Sequence, residues 1–142
     1  MSYTIDASVF VAASRPAEIN HTNSFEFLEQ IANQKVLTSC PTLLLTECAA
    51  AIARATDDEA LAQQLVALVE ALPGLALIPL SHPLAYRAAE IAIRHRLRGA
   101  DAIYVAVAEQ AGQVLVSWDQ EMLERGRAVV ETATPAEILP HL

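Results

Sequence analysis

The stretch from Gly99 to Glu121, GADAIYVAVAEQAGQVLVSWDQE, restricts the fold more than any other part of the chain. Ala102 to Ala108 leaves no polar face, so a helix running through it is expected to be buried all round. Gly112 stops that helix as a left-handed cap, and Val114 to Val116 form a short, continuously apolar run. Such a run suits a strand covered on both faces, as in a parallel sheet. Asp101 stands at the start of the helix, and Asp119 follows the strand with only Ser117 and Trp118 between. Open α/β sheets build their sites at these two kinds of place. Each aspartate can equally be a plain helix cap.

The remaining chain alternates strands with helices. Ser2 to Ile5 is β-prone and ends at Asp6; Ala7 to Ala13 starts a helix with Asp6 or Ser8 near its cap. Arg15-Pro16 closes it, Ala17 to Thr22 reads as a polar loop holding His21, and Asn23 or Ser24 caps a second helix to about Asn33. Val36 to Ser39 reads as a strand and Thr42 to Ala55 as a helix; Asp57-Asp58-Glu59 caps another helix to about Leu72. After the Pro73-Gly74 turn, Leu75 to Pro79 is a third strand. Ser81 caps a helix with Pro83 in its first turn, and Tyr86, Ala89, Ile93 and Leu97 are expected on one face. Beyond Asp119, Gln120 to Gly126 is a short helix, Val129-Val130 an edge strand, and Pro135 to Leu139 a last helical turn. No repeat or linker interrupts residues 1–142, so a single α/β domain with a mainly parallel sheet is expected.

Composition narrows the function classes. No apolar run reaches the roughly 18–20 residues that span a bilayer, since Glu47, Glu70 and Glu90 break the candidates. The start, MSYTID, has no basic region ahead of its acid, which argues for the cytoplasm over secretion. A net charge of −8 means that nucleic-acid binding needs a local basic patch or metal ions. Arg94, Arg96 and Arg98 are the candidate patch, with ordinary helix C-terminal dipole chemistry as the alternative. Cys40 and Cys48 lie too far apart along a helix for a disulfide, roughly 12 Å at 1.5 Å per residue, and read as small buried apolar residues. The high hydrophobic fraction, 54% in so short a chain, points to exposed apolar surface that a partner would cover.

Glu47 is the anomaly of its helix, set between Leu43-Leu44-Leu45 and Ala49-Ala50-Ala51. It faces either solvent or a polar pocket. With Asp6, Asp101 and Asp119 it completes a set of four acids placed near strand ends or on helices bordering the same sheet edge. Four carboxylates brought together repel unless a cation joins them, and an all-oxygen donor set favours Mg²⁺ or Mn²⁺. Such ions clamp phosphoryl oxygens and activate water.

Ile5-Asp6-Ala7-Ser8, Thr46-Glu47, Ala100-Asp101-Ala102 and Val116-Ser117-Trp118-Asp119, taken in order, resemble the PIN-domain family. The similarity is closest to the ribonuclease toxins of VapBC-type toxin–antitoxin pairs and extends from about Tyr3 to Val130. It implies a three-layer α/β/α sandwich with a sheet of about five strands. It also implies metal-dependent hydrolysis of RNA, with Asp6, Glu47, Asp101 and Asp119 as catalytic metal ligands and Ser8 and Ser117 as polar support. Arg94, Arg96 and Arg98 would then contact RNA phosphates, and a homodimer and a VapB-type antitoxin are the implied partners. Serine at 117 stands where threonine is common in the family, and Ala7 stands where many members carry threonine. A dehalogenase-type phosphatase needs an acid where Ser8 stands, and a receiver domain needs a late lysine, whereas Lys35 is the sole lysine. The remaining alternative is a PIN-like binding module that acts through protein contacts without catalysis.

Overall fold

The computed structural model describes residues 1–142. Its sheet has five strands, β1 (Tyr3–Ile5), β2 (Thr38–Pro41), β3 (Leu75–Ile78), β4 (Val114–Val116) and β5 (Thr132–Ala133), in the order β3-β2-β1-β4-β5. Every pairing is parallel. Parallel strands need crossovers, and these supply α1 (Ala7–Ser14), α2 (His21–Asn33), α3 (Leu43–Thr56), α4 (Glu59–Glu70), α5 (His82–His95) and α6 (Gly99–Ala111). Past β4 come α7 (Gln120–Gly126), α8 (Pro135–Ile138) and a 3-10 turn at Leu139–His141. Helices on both sides of the sheet give the three-layer α/β/α sandwich that the resemblance implies.

Local chemistry sets the element ends. Ser81 and Asp58 accept hydrogen bonds from Leu84 N and Leu61 N, capping α5 and α4. Gly112 takes the left-handed conformation (φ 65°) that ends α6, and all three residues of β4 are buried. In α6, Asp101, Ala102 and every residue from Tyr104 to Ala108 are buried, as expected for a helix at the centre of the molecule.

Four expectations about element positions are corrected. Helix α2 starts at His21, with Asn20 and not Asn23 or Ser24 at the cap position and Ser24 N donating to Asn20 O; His21 is helical, and its Nδ1 lies 2.9 Å from Ala12 O at the end of α1. Strand β2 lies two residues later than expected: Lys35 turns left-handed (φ 50°) and Val36 N still bonds Ile31 O, so pairing begins at Thr38. The edge strand is Thr132–Ala133; Val129 and Val130 both donate to Gly126 O in the turn after α7. The buried side of α5 is Leu84, Ala88 and Ile91, with Tyr86 and Ile93 at 67% and 70% exposure on the outside.

Candidate active site

The order of the sheet places its reversal of winding between β1 and β4, the point at which open α/β sheets form a crevice. In register, Ile5 lies beside Val116, and Asp6 N donates to Val116 O at 2.9 Å. The residues just past these strand ends are therefore neighbours. Asp6 caps α1, Asp119 caps α7 through Met122 N at 3.0 Å, and Asp101 sits in the first turn of α6. These acids serve as helix-end residues and line one cleft as well, so the two readings of them are compatible. Asp6, Ser8, Glu47, Arg98, Asp101 and Asp119 all line the cleft, whose volume is about 400 Å³.

Two serine hydroxyls tie the cleft together. Ser117, fully buried, donates to Asp6 Oδ2 at 2.9 Å and accepts from Asp119 N at 2.9 Å. Ser8 donates its backbone N–H to the same Asp6 oxygen, and its own Oγ accepts from Trp118 N at 3.1 Å. Trp118 is held in turn by Ser24 Oγ, 2.7 Å from its indole nitrogen, and packs against the core.

Three of the acids are costly to charge. Burial pushes the Asp6 carboxyl above its usual range, against the opposing pull of the Ser8 and Ser117 hydrogen bonds. Burial raises Asp101 as well, against the pull of Arg98, and the charges of Asp119 and Asp6 add to the rise. Glu47 is raised chiefly by burial, against the pull of the Tyr104 hydroxyl, and Asp6 and Asp101 add to the rise. Its buried Oε1 and the buried Tyr104 hydroxyl are neighbours that make no hydrogen bond of good geometry, and each shifts the other's titration. Tyr104 is thus a polar neighbour of the acids that the sequence reading overlooked. Its spacing of three from Asp101 on one helix was the available signal. Cys40 and Cys48 are free and buried, with thiols pushed up to about 12, which leaves them inert.

The three arginines diverge. Arg98 forks two of the acids, with Nε 3.0 Å from Asp101 Oδ2 and a terminal nitrogen 2.7 Å from Asp119 Oδ2. Arg96 is the left-handed cap of α5 (φ 57°) and turns its guanidinium onto Ile93 O. Arg94 is exposed and lines a separate hollow with Glu90, Glu109 and Val129. Of the three, Arg98 alone reaches the acidic cleft.

The donor set suits a hard divalent cation: it offers carboxylate oxygens only, and burial disfavours the charged form of Asp6, Glu47 and Asp101. No three of these side chains stand close enough together to form a ready ligand cluster. Asp101 and Asp119 are instead joined by the Arg98 guanidinium.

The sequence profile of the PIN domain matches residues 3–129. None of the curated proteins matches the chain. Among solved structures, Mycobacterium tuberculosis VapC20, a sarcin–ricin loop cleaving toxin, superposes with a TM-score of 0.71 at 17% identity, covering 85% of this chain and 92% of that one. PAE2754 from Pyrobaculum aerophilum reaches 0.71 at 21% identity over 99% and 94% of the two chains. VapBC2 from Rickettsia felis, bound to a DNA fragment from its promoter, gives 0.70 at 13% identity over 94% and 98%.

Proposed function

The chain belongs to the PIN domain family, and from that premise we propose that it is a metal-dependent endoribonuclease, the toxin of a VapBC-type toxin–antitoxin pair. The observation that carries this reading is the cleft at the β1/β4 reversal, where Asp6, Glu47, Asp101 and Asp119 converge from separate elements. These four residues would hold a Mg²⁺ or Mn²⁺ ion, which when bound supplies Lewis-acid stabilisation of a phosphodiester and an acidified water. Asp6 and Asp101, the more deeply buried pair, are the principal ligands; Asp119 ligates directly or through water. Glu47, with Oε1 buried beside the Tyr104 hydroxyl, would ligate or would orient and deprotonate the attacking water. Ser8 and Ser117 keep the Asp6 carboxylate aimed into the cleft. No side chain has to form a covalent bond to RNA.

Arg98, at the cleft, contacts the scissile region's phosphate; Arg94 and Arg96, turned to other surfaces, would meet RNA only where the strand runs beyond the cleft. The similar folds of VapC20 and of the VapBC2 toxin–antitoxin complex support RNA as substrate and a VapB-type antitoxin as partner. Two exposed apolar surfaces support a need for partners. One is a groove of about 310 Å³ among α1, α2 and α4, lined by Phe10, Phe25, Leu28, Leu65 and Leu68. The other is the outer side of α5, with Tyr86 and Ile93, which fits a homodimer. No helix is long and apolar enough to cross a membrane.

The test is incubation of the purified chain with mixed RNAs in Mg²⁺ or Mn²⁺, with and without EDTA. Cleavage that EDTA abolishes is expected. RNA left intact under all metal conditions would leave a binding module as the better account.

A further inference from the structure

We propose that Arg98 is the cleft's own counter-cation, and that a divalent ion enters by exchange with it, freeing the guanidinium for the substrate phosphate. This deepens the reading of the cleft as a metal centre and rests on it. Three observations converge. First, Arg98 forks Asp101 Oδ2 and Asp119 Oδ2, oxygens from two different elements, at 3.0 and 2.7 Å. Second, no three acids of the cleft stand in ligating proximity, so an ion would enter only with a shift of these side chains. Third, the Arg98 side chain is 65% exposed, so it can leave without unpacking the core.

The charges explain why such an exchange is needed. Asp6, Glu47, Asp101 and Asp119 give the cleft four negative charges when ionised, and Arg98 is the single cation lining it. A guanidinium spreads one positive charge over a planar fork, which suits two carboxylates but cannot gather four. A divalent ion brings twice the charge into a smaller volume and takes six or more oxygens. Arg98 and the ion want the same Asp101 and Asp119 oxygens, so each weakens the other. Once displaced, Arg98 remains at the mouth of a cleft whose charge the ion has largely neutralised. An anionic phosphate then meets a free guanidinium where the metal-free cleft would repel it. Arg98 is also the N-cap residue of α6, with extended backbone, and its side chain makes no cap hydrogen bond, so the fold does not require the guanidinium where it stands.

Removing the positive charge should therefore act in opposite senses on the two ligands. Mn²⁺ is titrated calorimetrically into chelator-stripped wild type, Arg98→Gln and Arg98→Lys. Binding of a short labelled single-stranded RNA is then measured in saturating Mn²⁺ across a salt series, with its integrity checked on a gel after each titration. Arg98→Gln should bind Mn²⁺ about two- to fivefold tighter than wild type, the scale of a partly exposed ion pair. The same variant should bind RNA more weakly, its log–log salt slope shallower by about 0.7, one single-strand phosphate contact. Arg98→Lys, which keeps the charge but not the fork, should fall between for Mn²⁺; it decides the matter if thermal melts show the glutamine variant unfolded. Equal or weaker Mn²⁺ binding by Arg98→Gln, with wild type still binding, overturns the exchange and leaves the metal centre standing. Absence of Mn²⁺ binding by wild type overturns both.

Discussion

Ser117 carries more of the cleft than its size implies. Its single hydroxyl donates to Asp6 and receives the backbone N–H of Asp119, so one buried oxygen sets the spacing of two acids. Ser117→Ala should cost about 1–3 kcal/mol in denaturant unfolding of metal-free protein, because it leaves a buried carboxylate short of a donor. Ser117→Thr, which keeps the hydroxyl, should cost much less. Equal stability of the alanine variant would mean that water replaces the hydroxyl freely. Asp6, Asp101 and Asp119 were legible in the sequence because each stands at a boundary, just past an apolar strand end or in a first helical turn, and Glu47 because it interrupts an apolar helix. The arginines were less so. Residues two apart do not share a helix face, and the left-handed turn at Arg96 sends Arg94 and Arg98 to different surfaces. Tyr104 was hidden in an apolar run, where its hydroxyl looked incidental.

At the scale of elements, α5 and α6 pack closely, and Arg87 on one grips both carboxylate oxygens of Glu109 on the other at 2.7 and 2.8 Å. That hydrogen-bonded fork holds the Glu109 carboxyl below its ordinary range. A carboxyl whose folded value is depressed stabilises the fold above its unfolded value and loses that contribution as pH falls through the folded one. Glu109→Gln should therefore lower Tm slightly at neutral pH, and the difference from wild type should close below about pH 4. A difference that persists there would assign the loss to packing. Helix α5 also shows where periodicity misleads. It carries large apolar residues on two sides, and the larger ones, Tyr86 and Ile93, lie outward while Leu84, Ala88 and Ile91 face the core. Burial on one side cannot be told from an uncovered apolar side by spacing alone. The last strand was misplaced for a related reason: Val129 and Val130 have the β-branched character of a strand, but the turn after α7 claims their N–H groups, and Thr132 reaches the register with Leu115.

The whole molecule is organised by its parallel sheet. Strand β4 was legible because its continuous apolar run suits burial on both faces, β1 by its β-prone residues, and the crossover helices followed from alternation. Strand β2, Thr38–Pro41, carries no apolar run and was misplaced. The four acids were separated by up to 113 positions, from Asp6 to Asp119, and only the strand order β3-β2-β1-β4-β5 brings β1 and β4 side by side. That order was not legible in the sequence; convergence was expected only because parallel strands share one carboxyl edge. The central claim is that the acids, gathered at this reversal, form one metal centre, and Asp101→Asn tests it most directly. Burial and neighbouring acids outweigh Arg98 in setting the Asp101 carboxyl, so its charge is held at a net cost in the metal-free fold. Asparagine keeps the shape without the charge. Thermal melts of both proteins in EDTA and in Mn²⁺ should show Asp101→Asn at least as stable as wild type without metal. The variant should gain clearly less on adding Mn²⁺. A wild-type gain from Mn²⁺ retained in full by Asp101→Asn would remove Asp101 from the site and contradict a centre built from these four carboxylates.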